Sequence, residues 1–202
     1  MRDSEHKSID LLWSSFLNGD DKGFSVIYQL HINRLLSYGY KLCPDREWVH
    51  DSIQEVFLDL FLKRKKQERN IKNLKAWLFV AIRNSLVKKM VKSRKFEPVV
   101  TDGEQEFIFF NTEYTIQEQL IDFEGSGELK EKLNAAVNNL PPKQKEIIYL
   151  KFEEELDYPE ISAIMEISIE SARKLMYRAL LSLRKIVDPQ IVMVFFLNSG
   201  KK

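Results

Sequence analysis

Apolar residues recur at intervals of three and four along most of this chain, which is the spacing of one face of an α-helix. The clearest runs occupy positions 24–36, 49–61 and 74–90, and another fills positions 129–140. No stretch alternates for long enough to predict a β-strand, because a half-buried strand needs an apolar residue at every second position. The sequence therefore predicts an all-α fold.

The charge pattern divides the chain. Its 202 residues are 44% hydrophobic and 30% charged, which suits one or two globular units. Basic residues dominate positions 63–95, where Glu68 is the sole acid, whereas positions 97–124 carry acidic residues and no lysine or arginine. We predict two small helical domains at residues 1–95 and 128–187, a flexible acidic linker at residues 96–127 and an apolar C-terminal tail at residues 188–202.

Several functional classes are disfavoured by the sequence. Its longest uncharged apolar runs, such as residues 191–197, are far shorter than the roughly 20 residues that cross a bilayer, and the N-terminus lacks a signal peptide's apolar stretch. We therefore expect a cytoplasmic protein without membrane insertion. Cys43 is the only cysteine, so an internal disulfide and a thiolate metal cluster are excluded.

We also expect no enzymatic activity, no cofactor and no metal site. The histidines are scattered at positions 6, 31 and 50, and no glycine-rich phosphate loop or metal-spaced pair occurs. The acidic run at residues 153–155 is interpreted as a solvated turn rather than as paired acid–base carboxylates.

Two helical patterns lie close together in "EISAIMEISIESARKLMYRALLSLRK", residues 160–185. The first presents Ile161, Ile164 and Met165, and the second presents Ala172, Met176, Leu180 and Leu183. Asp157 with Glu160 matches a reciprocal cap for the first helix, and Ser168 is placed to cap the second. Pro141 and Pro142 end one helix and open the next. A short turn between two such helices predicts a helix-turn-helix.

The face of the second helix opposite its apolar stripe carries Ser171, Arg173, Lys174, Tyr177 and Arg178. A helix that projects such a face from the core is suited to enter the major groove of DNA. An ordinary helical hairpin with a solvated basic face remains the alternative for this segment taken alone.

The segment "LPPKQKEIIYLKFEEELDYPEISAIMEISIESARKLMYRALLSLRK" resembles region 4 of bacterial sigma factors of the extracytoplasmic-function (ECF) group, in the sigma-70 family. "FSVIYQLHINRLLSYGYKL", "DSIQEVFLDLF" and "WLFVAIRNSLVKKMVKSRK" resemble helices of region 2 in the same order. The resemblance implies a factor that binds core RNA polymerase and directs promoter-specific initiation. Its implied partners are the clamp coiled coil of core RNA polymerase, promoter DNA and an anti-sigma factor.

The resemblance also implies which residues form each surface. The core polymerase-binding residues would be Asp51, Gln54, Glu55 and Leu58. The residues that bind the minus-ten element would be Asn84, Lys88, Lys89, Lys92 and Arg94, with Asn84 beside a captured unpaired base and the cations on backbone phosphates. The residues that bind the minus-thirty-five element would be Glu170, Ser171, Arg173, Lys174, Tyr177 and Arg178.

Other positions are interpreted differently. Trp77 matches the family but is assigned to the core, because it shares an apolar stripe with Leu74 and Leu78. Lys143 and Lys145 are expected to be solvated, although phosphate contact is the alternative. Glu166 occupies the turn position where the family often has glycine, which predicts slight strain. The rival to a sigma factor is a helix-turn-helix regulator that does not bind core polymerase.

Overall fold

The computed structural model describes residues 2–64, 71, 73–93, 99–101, 104–106, 110 and 126–185. The elements in chain order are α1 (Arg2–Leu17), α2 (Asp21–Leu42), α3 (Arg46–Leu62), α4 (Leu74–Ser93), β1 (Val99–Thr101), β2 (Glu104–Glu106), α5 (Ser126–Asn138), α6 (Pro142–Ile148), a π-helical turn (Tyr149–Glu153), α7 (Tyr158–Met165) and α8 (Ile169–Arg184). Apart from one pair of three-residue strands, these elements are helices, so the all-α prediction is confirmed.

The chain folds as two compact units. The first consists of Met1–Val99 with Gln105–Phe109, and the second of Val100–Glu104 with Phe110–Lys202. The short sheet of β1 and β2 falls within the predicted linker, where no strand was predicted. Arg94 and the predicted tail lie outside the described residues, as does most of the predicted linker.

The first unit contains one helix that the periodicity did not predict. Helix α1 packs on α2, and Trp13 and Phe16 are buried between them and their neighbours. The two helices cross closely at Gly23, because a Cβ added there would lie 2.9 Å from the Leu12 carbonyl oxygen. Asp20 begins α2 by accepting a hydrogen bond from the Lys22 amide at 2.9 Å.

Aromatic side chains join α1, α2 and α3 into one core. The ring centroids of Phe16 and Phe24 are 5.0 Å apart, and those of Phe24 and Phe61 are 5.1 Å apart. Phe57 contacts both Phe24 and Tyr28 in edge-on arrangements. Such offset and edge-on pairs are the favoured geometries of aromatic rings, so this cluster stabilises the placement of α3.

The second unit begins its regular structure with α5 and α6. Pro142 opens α6 as predicted, and the helix continues into the π-helical turn, where the Glu154 amide donates to the Tyr149 carbonyl at 3.1 Å. The wider turn places Glu154 in the interior, 4% exposed, where its Oε1 accepts a 2.9 Å hydrogen bond from the Tyr149 hydroxyl. The expectation of a solvated turn at residues 153–155 is therefore wrong at Glu154.

Lys145 is a second correction in this unit. It was expected to be solvated, but it is 8% exposed, because the turn that carries it faces the core of the unit. Burial lowers the pKa of its ammonium group. Lys143 is partly exposed. No described helix is both long enough and apolar enough to span a bilayer.

Candidate polymerase-binding and DNA-binding surfaces

Helix α3 separates an apolar face from a polar one. Asp45 caps its start by accepting from the Trp48 amide at 3.2 Å. The buried side comprises Val49, Ser52, Ile53, Val56, Phe57 and Leu60. The four residues predicted to bind polymerase, Asp51, Gln54, Glu55 and Leu58, are all exposed and form what we call the α3 face. Leu58 is 58% exposed and gives this otherwise polar face one apolar side chain.

Helix α4 presents the residues predicted to bind the minus-ten element. Asn84, Lys88 and Lys92 are exposed, whereas Lys89 is half-buried. The Lys89 ammonium lies 3.1 Å from a carboxylate oxygen of Glu55 on α3. The structure thus brings together one residue predicted to bind polymerase and one predicted to bind DNA. Arg83, which sequence analysis left out of the site, is buried.

A cleft of about 300 Å³ lies between α3 and α4. It is lined by Glu55, Val56, Asp59, Trp77, Ala81 and Ser85. Trp77 was assigned to the core, but it is only partly buried and forms part of the cleft wall. Ser85 was not identified from the sequence, and its hydroxyl donates to the Ser52 hydroxyl at 3.0 Å.

The helix-turn-helix forms as the capping residues predicted. The Asp157 amide donates to Glu160 at 2.7 Å, and the Glu160 amide donates to Asp157 at 2.9 Å, so α7 has a complete reciprocal cap. Ser168 accepts from the Ser171 amide at 3.0 Å at the start of α8. Glu166 lies between the two helices with φ 55 and ψ 42 degrees. This is the left-handed conformation expected at a turn position where the family often has glycine.

The packing of this motif also follows the predicted stripes. Ile161, Ile164 and Met165 on α7 are buried, and so are Ala172, Met176 and Leu183 on α8. Leu180 is only partly buried, whereas Leu175 and Ala179 complete the buried stripe. The buried stripe fixes α8 on the unit and leaves its opposite face to solvent.

The exposed face of α8 contains every residue predicted to bind the minus-thirty-five element. These are Glu170, Ser171, Arg173, Lys174, Tyr177 and Arg178. Tyr177 is 65% exposed, and Lys174 pairs with Glu170 at 2.6 Å along the helix. The Arg173 guanidinium lies over the ring of Tyr158, a residue of α7 that the sequence did not single out.

Two titratable groups of the first unit, His31 and Cys43, are buried. His31 is 3% exposed, and burial, together with the charges of Lys75 and Arg34, lowers its pKa from 6.5 to about 4. Burial likewise raises the pKa of the Cys43 thiol. Within the described residues, no group of three or more histidine, cysteine, aspartate or glutamate side chains is arranged to hold a metal ion.

The fold and these surfaces define a two-domain helical protein with a DNA-reading helix-turn-helix. The family model "Sigma-70 region 2" matches residues 27–96, and the model "Sigma-70, region 4" matches residues 130–183. The two matches together span more than half of the chain. The chain therefore belongs to the sigma-70 family, in its ECF group, and is a transcription initiation factor that binds core RNA polymerase and directs it to promoters.

Individual relatives agree with this family. The chain is 27% identical over 153 residues to the ECF RNA polymerase sigma factor SigM of Bacillus subtilis (strain 168), covering 76% of this chain and 88% of SigM. It resembles RpoE, solved with the anti-sigma factor NepR from Bartonella quintana, with a TM-score of 0.55, 24% identity and coverage of 82% of this chain and 96% of that one. CnrH, solved with the cytosolic domain of CnrY, gives a TM-score of 0.52 at 14% identity, covering 87% of this chain and 94% of that one. These structural likenesses support the fold.

Proposed function

We propose that this chain positions core RNA polymerase on promoters through three surfaces: the α3 face, the α4 residues around Asn84 and the exposed face of α8. The observation that carries the proposal is the exposed face of α8. All six side chains suggested for the minus-thirty-five element are exposed on one helix whose opposite side is buried in the unit. Such a helix is fixed by its core and is free to enter the major groove.

The α3 face binds the polymerase clamp in this proposal. Replacing Gln54 and Glu55 with alanine should weaken core binding without loss of helical circular dichroism, because both side chains are exposed. Glu47→Ala, an exposed change in the first turn of the same helix, is the matched control. Fluorescence anisotropy of the labelled chain against core polymerase measures the affinity. An unchanged affinity for the double variant would remove the α3 face from the proposal.

Asn84 captures an unpaired base of the minus-ten element in this proposal, and Lys88, Lys89, Lys92 and Arg94 bind phosphates of the opening strands. Its amide offers both a donor and an acceptor to a base edge. For Asn84→Ala, we expect closed-complex binding to survive and strand opening to fail, since the base is exposed only after melting. Normal permanganate reactivity at the downstream element would contradict this role.

Arg173 reads a base of the minus-thirty-five element in this proposal, because a guanidinium forms a bidentate pair with guanine. Arg173→Ala should then cost about 1 to 3 kcal/mol on the cognate element and little on a scrambled one. Loss of a phosphate contact would instead weaken both duplexes alike. Comparing the two affinities therefore distinguishes base reading from positioning.

We further propose that the chain acts in the cytoplasm and that an anti-sigma factor regulates it. The support for an anti-sigma factor is that RpoE, to which this chain is similar in fold, was solved with one. Transcription with purified core polymerase tests the whole proposal, because a regulator that does not bind core polymerase cannot replace the sigma subunit. The comparisons do not favour that alternative.

A further inference from the structure

One aromatic ring beside the DNA-reading helix contacts two cations. The Arg173 guanidinium carbon lies 5.7 Å from the centroid of the Tyr158 ring. The Lys151 ammonium lies 5.3 Å from the same centroid. Both distances fall within the range in which the negative face of a tyrosine ring attracts a cation. Tyr158 therefore links the recognition helix α8 to the π-helical turn through its ring.

Tyr158 is itself held in place by its neighbours. It is the first residue of α7, directly after Asp157, which forms the reciprocal cap with Glu160. The Lys151 ammonium, which contacts the ring, also donates to the Leu156 carbonyl at 3.0 Å. The backbone on the N-terminal side of the ring and the cation beside it are thus both fixed by hydrogen bonds. The ring occupies a defined position in the free protein.

The proposed role of Arg173 depends on the orientation of its side chain. A long arginine side chain loses rotamer freedom when it is ordered, and bidentate pairing with a base requires its plane to be oriented. Lys174 is already held along the helix by Glu170. The ring that contacts Arg173 belongs to the preceding helix, where Tyr158 is the first residue.

We propose that Tyr158 is a positioning residue for promoter recognition, whose ring holds the Arg173 guanidinium in the orientation that reads the minus-thirty-five element. This inference rests on the proposed base-reading role of Arg173. Its consequence is specific: the ring increases affinity for the cognate element and leaves binding to scrambled DNA unchanged. Cation–ring contacts at exposed sites correspond to about two- to fivefold in affinity.

The test uses full-length protein assembled with core RNA polymerase. The probes are a promoter duplex selected from a randomised library by the wild-type holoenzyme, and the same duplex with its minus-thirty-five element scrambled. Tyr158→Leu removes the ring and keeps apolar bulk, whereas Tyr158→Phe keeps the ring. We expect the leucine variant to lower the ratio of cognate to scrambled affinity by about two- to fivefold, and the phenylalanine variant to preserve it.

A double-mutant cycle links the effect to Arg173. In the Arg173→Ala background, Tyr158→Leu should have no further effect on the affinity ratio, because the group it positions is absent. Lys151→Ala, which leaves the ring but removes one of its contacts, should give a smaller loss than Tyr158→Leu. Thermal melting followed by circular dichroism verifies that each variant is folded.

Three results would overturn the positioning role. An unchanged ratio for Tyr158→Leu would show that the ring does not orient Arg173. Equal losses on both duplexes for the leucine and phenylalanine variants would assign Tyr158 to phosphate contact through its hydroxyl. If Arg173→Ala itself leaves the ratio unchanged while wild-type protein discriminates, base reading by Arg173 fails, and the positioning role fails with it.

Discussion

Replacing Glu166 with glycine should stabilise the second unit, because Glu166 adopts a left-handed conformation at φ 55 and ψ 42 degrees. In this conformation the Cβ atom crowds the following carbonyl, which costs about 1 to 2 kcal/mol for a residue other than glycine. Glycine has greater freedom in the unfolded chain, which offsets about 0.4 to 1 kcal/mol of that gain. The net increase in the free energy of unfolding is about 1 kcal/mol.

The two-unit organisation of the chain allows this change to be measured selectively. An increase of about 1 kcal/mol corresponds to a rise of about 4 to 8 °C in the melting temperature of a small domain. The three tryptophans, Trp13, Trp48 and Trp77, all belong to the first unit. The melting temperature measured by tryptophan fluorescence should therefore stay the same, whereas the calorimetric transition of the second unit should move to a higher temperature.

The matched control is Glu166→Ala, which removes the carboxylate but retains the Cβ atom. If the conformational argument holds, alanine should give no comparable gain, because its Cβ is crowded in the same way. Equal stabilisation by alanine and glycine would refute the argument and would point to the charge of Glu166. No gain from glycine would equally show that the left-handed turn stores no strain.

Three further predictions concern the first unit, and tryptophan-detected urea unfolding checks each one. Because the pKa of His31 is lowered to about 4 in the folded unit, only the unfolded chain protonates this side chain between pH 6.5 and pH 4. The free energy of unfolding is therefore highest above pH 6.5 and falls as the pH is lowered towards 4. Between pH 7 and pH 4.5 this loss is about 2 to 3 kcal/mol, and it should be absent in His31→Gln; equal acid sensitivity of both proteins would contradict it. A double-mutant cycle of Glu55→Gln and Lys89→Met should give a coupling of at most about 1 kcal/mol that shrinks with salt, since the carboxylate is largely exposed, and a coupling insensitive to salt would be inconsistent with an ion pair. Gly23→Val should destabilise the unit by about 1 to 3 kcal/mol by forcing α1 away from α2, and an unaltered midpoint would show that the crossing has room for a side chain.

Much of the helix-turn-helix could be predicted because its signals are local. The reciprocal cap of Asp157 and Glu160, the Ser168 cap and the strained turn at Glu166 depend on residues within one turn of one another. The exposed and buried faces of α3 and α8 likewise follow from spacing within a single helix. Caps and helix faces can be predicted from the sequence alone, because each depends only on residues that are close together in the chain.

The features that were missed depend on tertiary contacts. Helix α1 packs closely against α2 at Gly23, and a glycine gives no apolar signal to a periodicity argument. Glu154 is buried because the π-helical turn breaks the α-helical register, which charge alone does not reveal. The contact of Tyr158 with Arg173 joins two helices, so neither helix considered alone predicts it.

Phe110 is a buried residue within the segment that the charge pattern assigned to the linker. It lies in the middle of the acidic segment predicted to be flexible, yet it is 2% exposed and its ring centroid lies 5.7 Å from that of Tyr149. Tyr149 in turn donates its hydroxyl to the buried Glu154, so Phe110 contacts the π-helical turn that precedes α7. An acidic composition reports the solvation of a segment on average, whereas one large apolar side chain is enough to attach that segment to a core. Phe110 therefore belongs to the second unit although it lies within the acidic segment, because a single apolar residue barely changes the average composition on which the linker prediction rests.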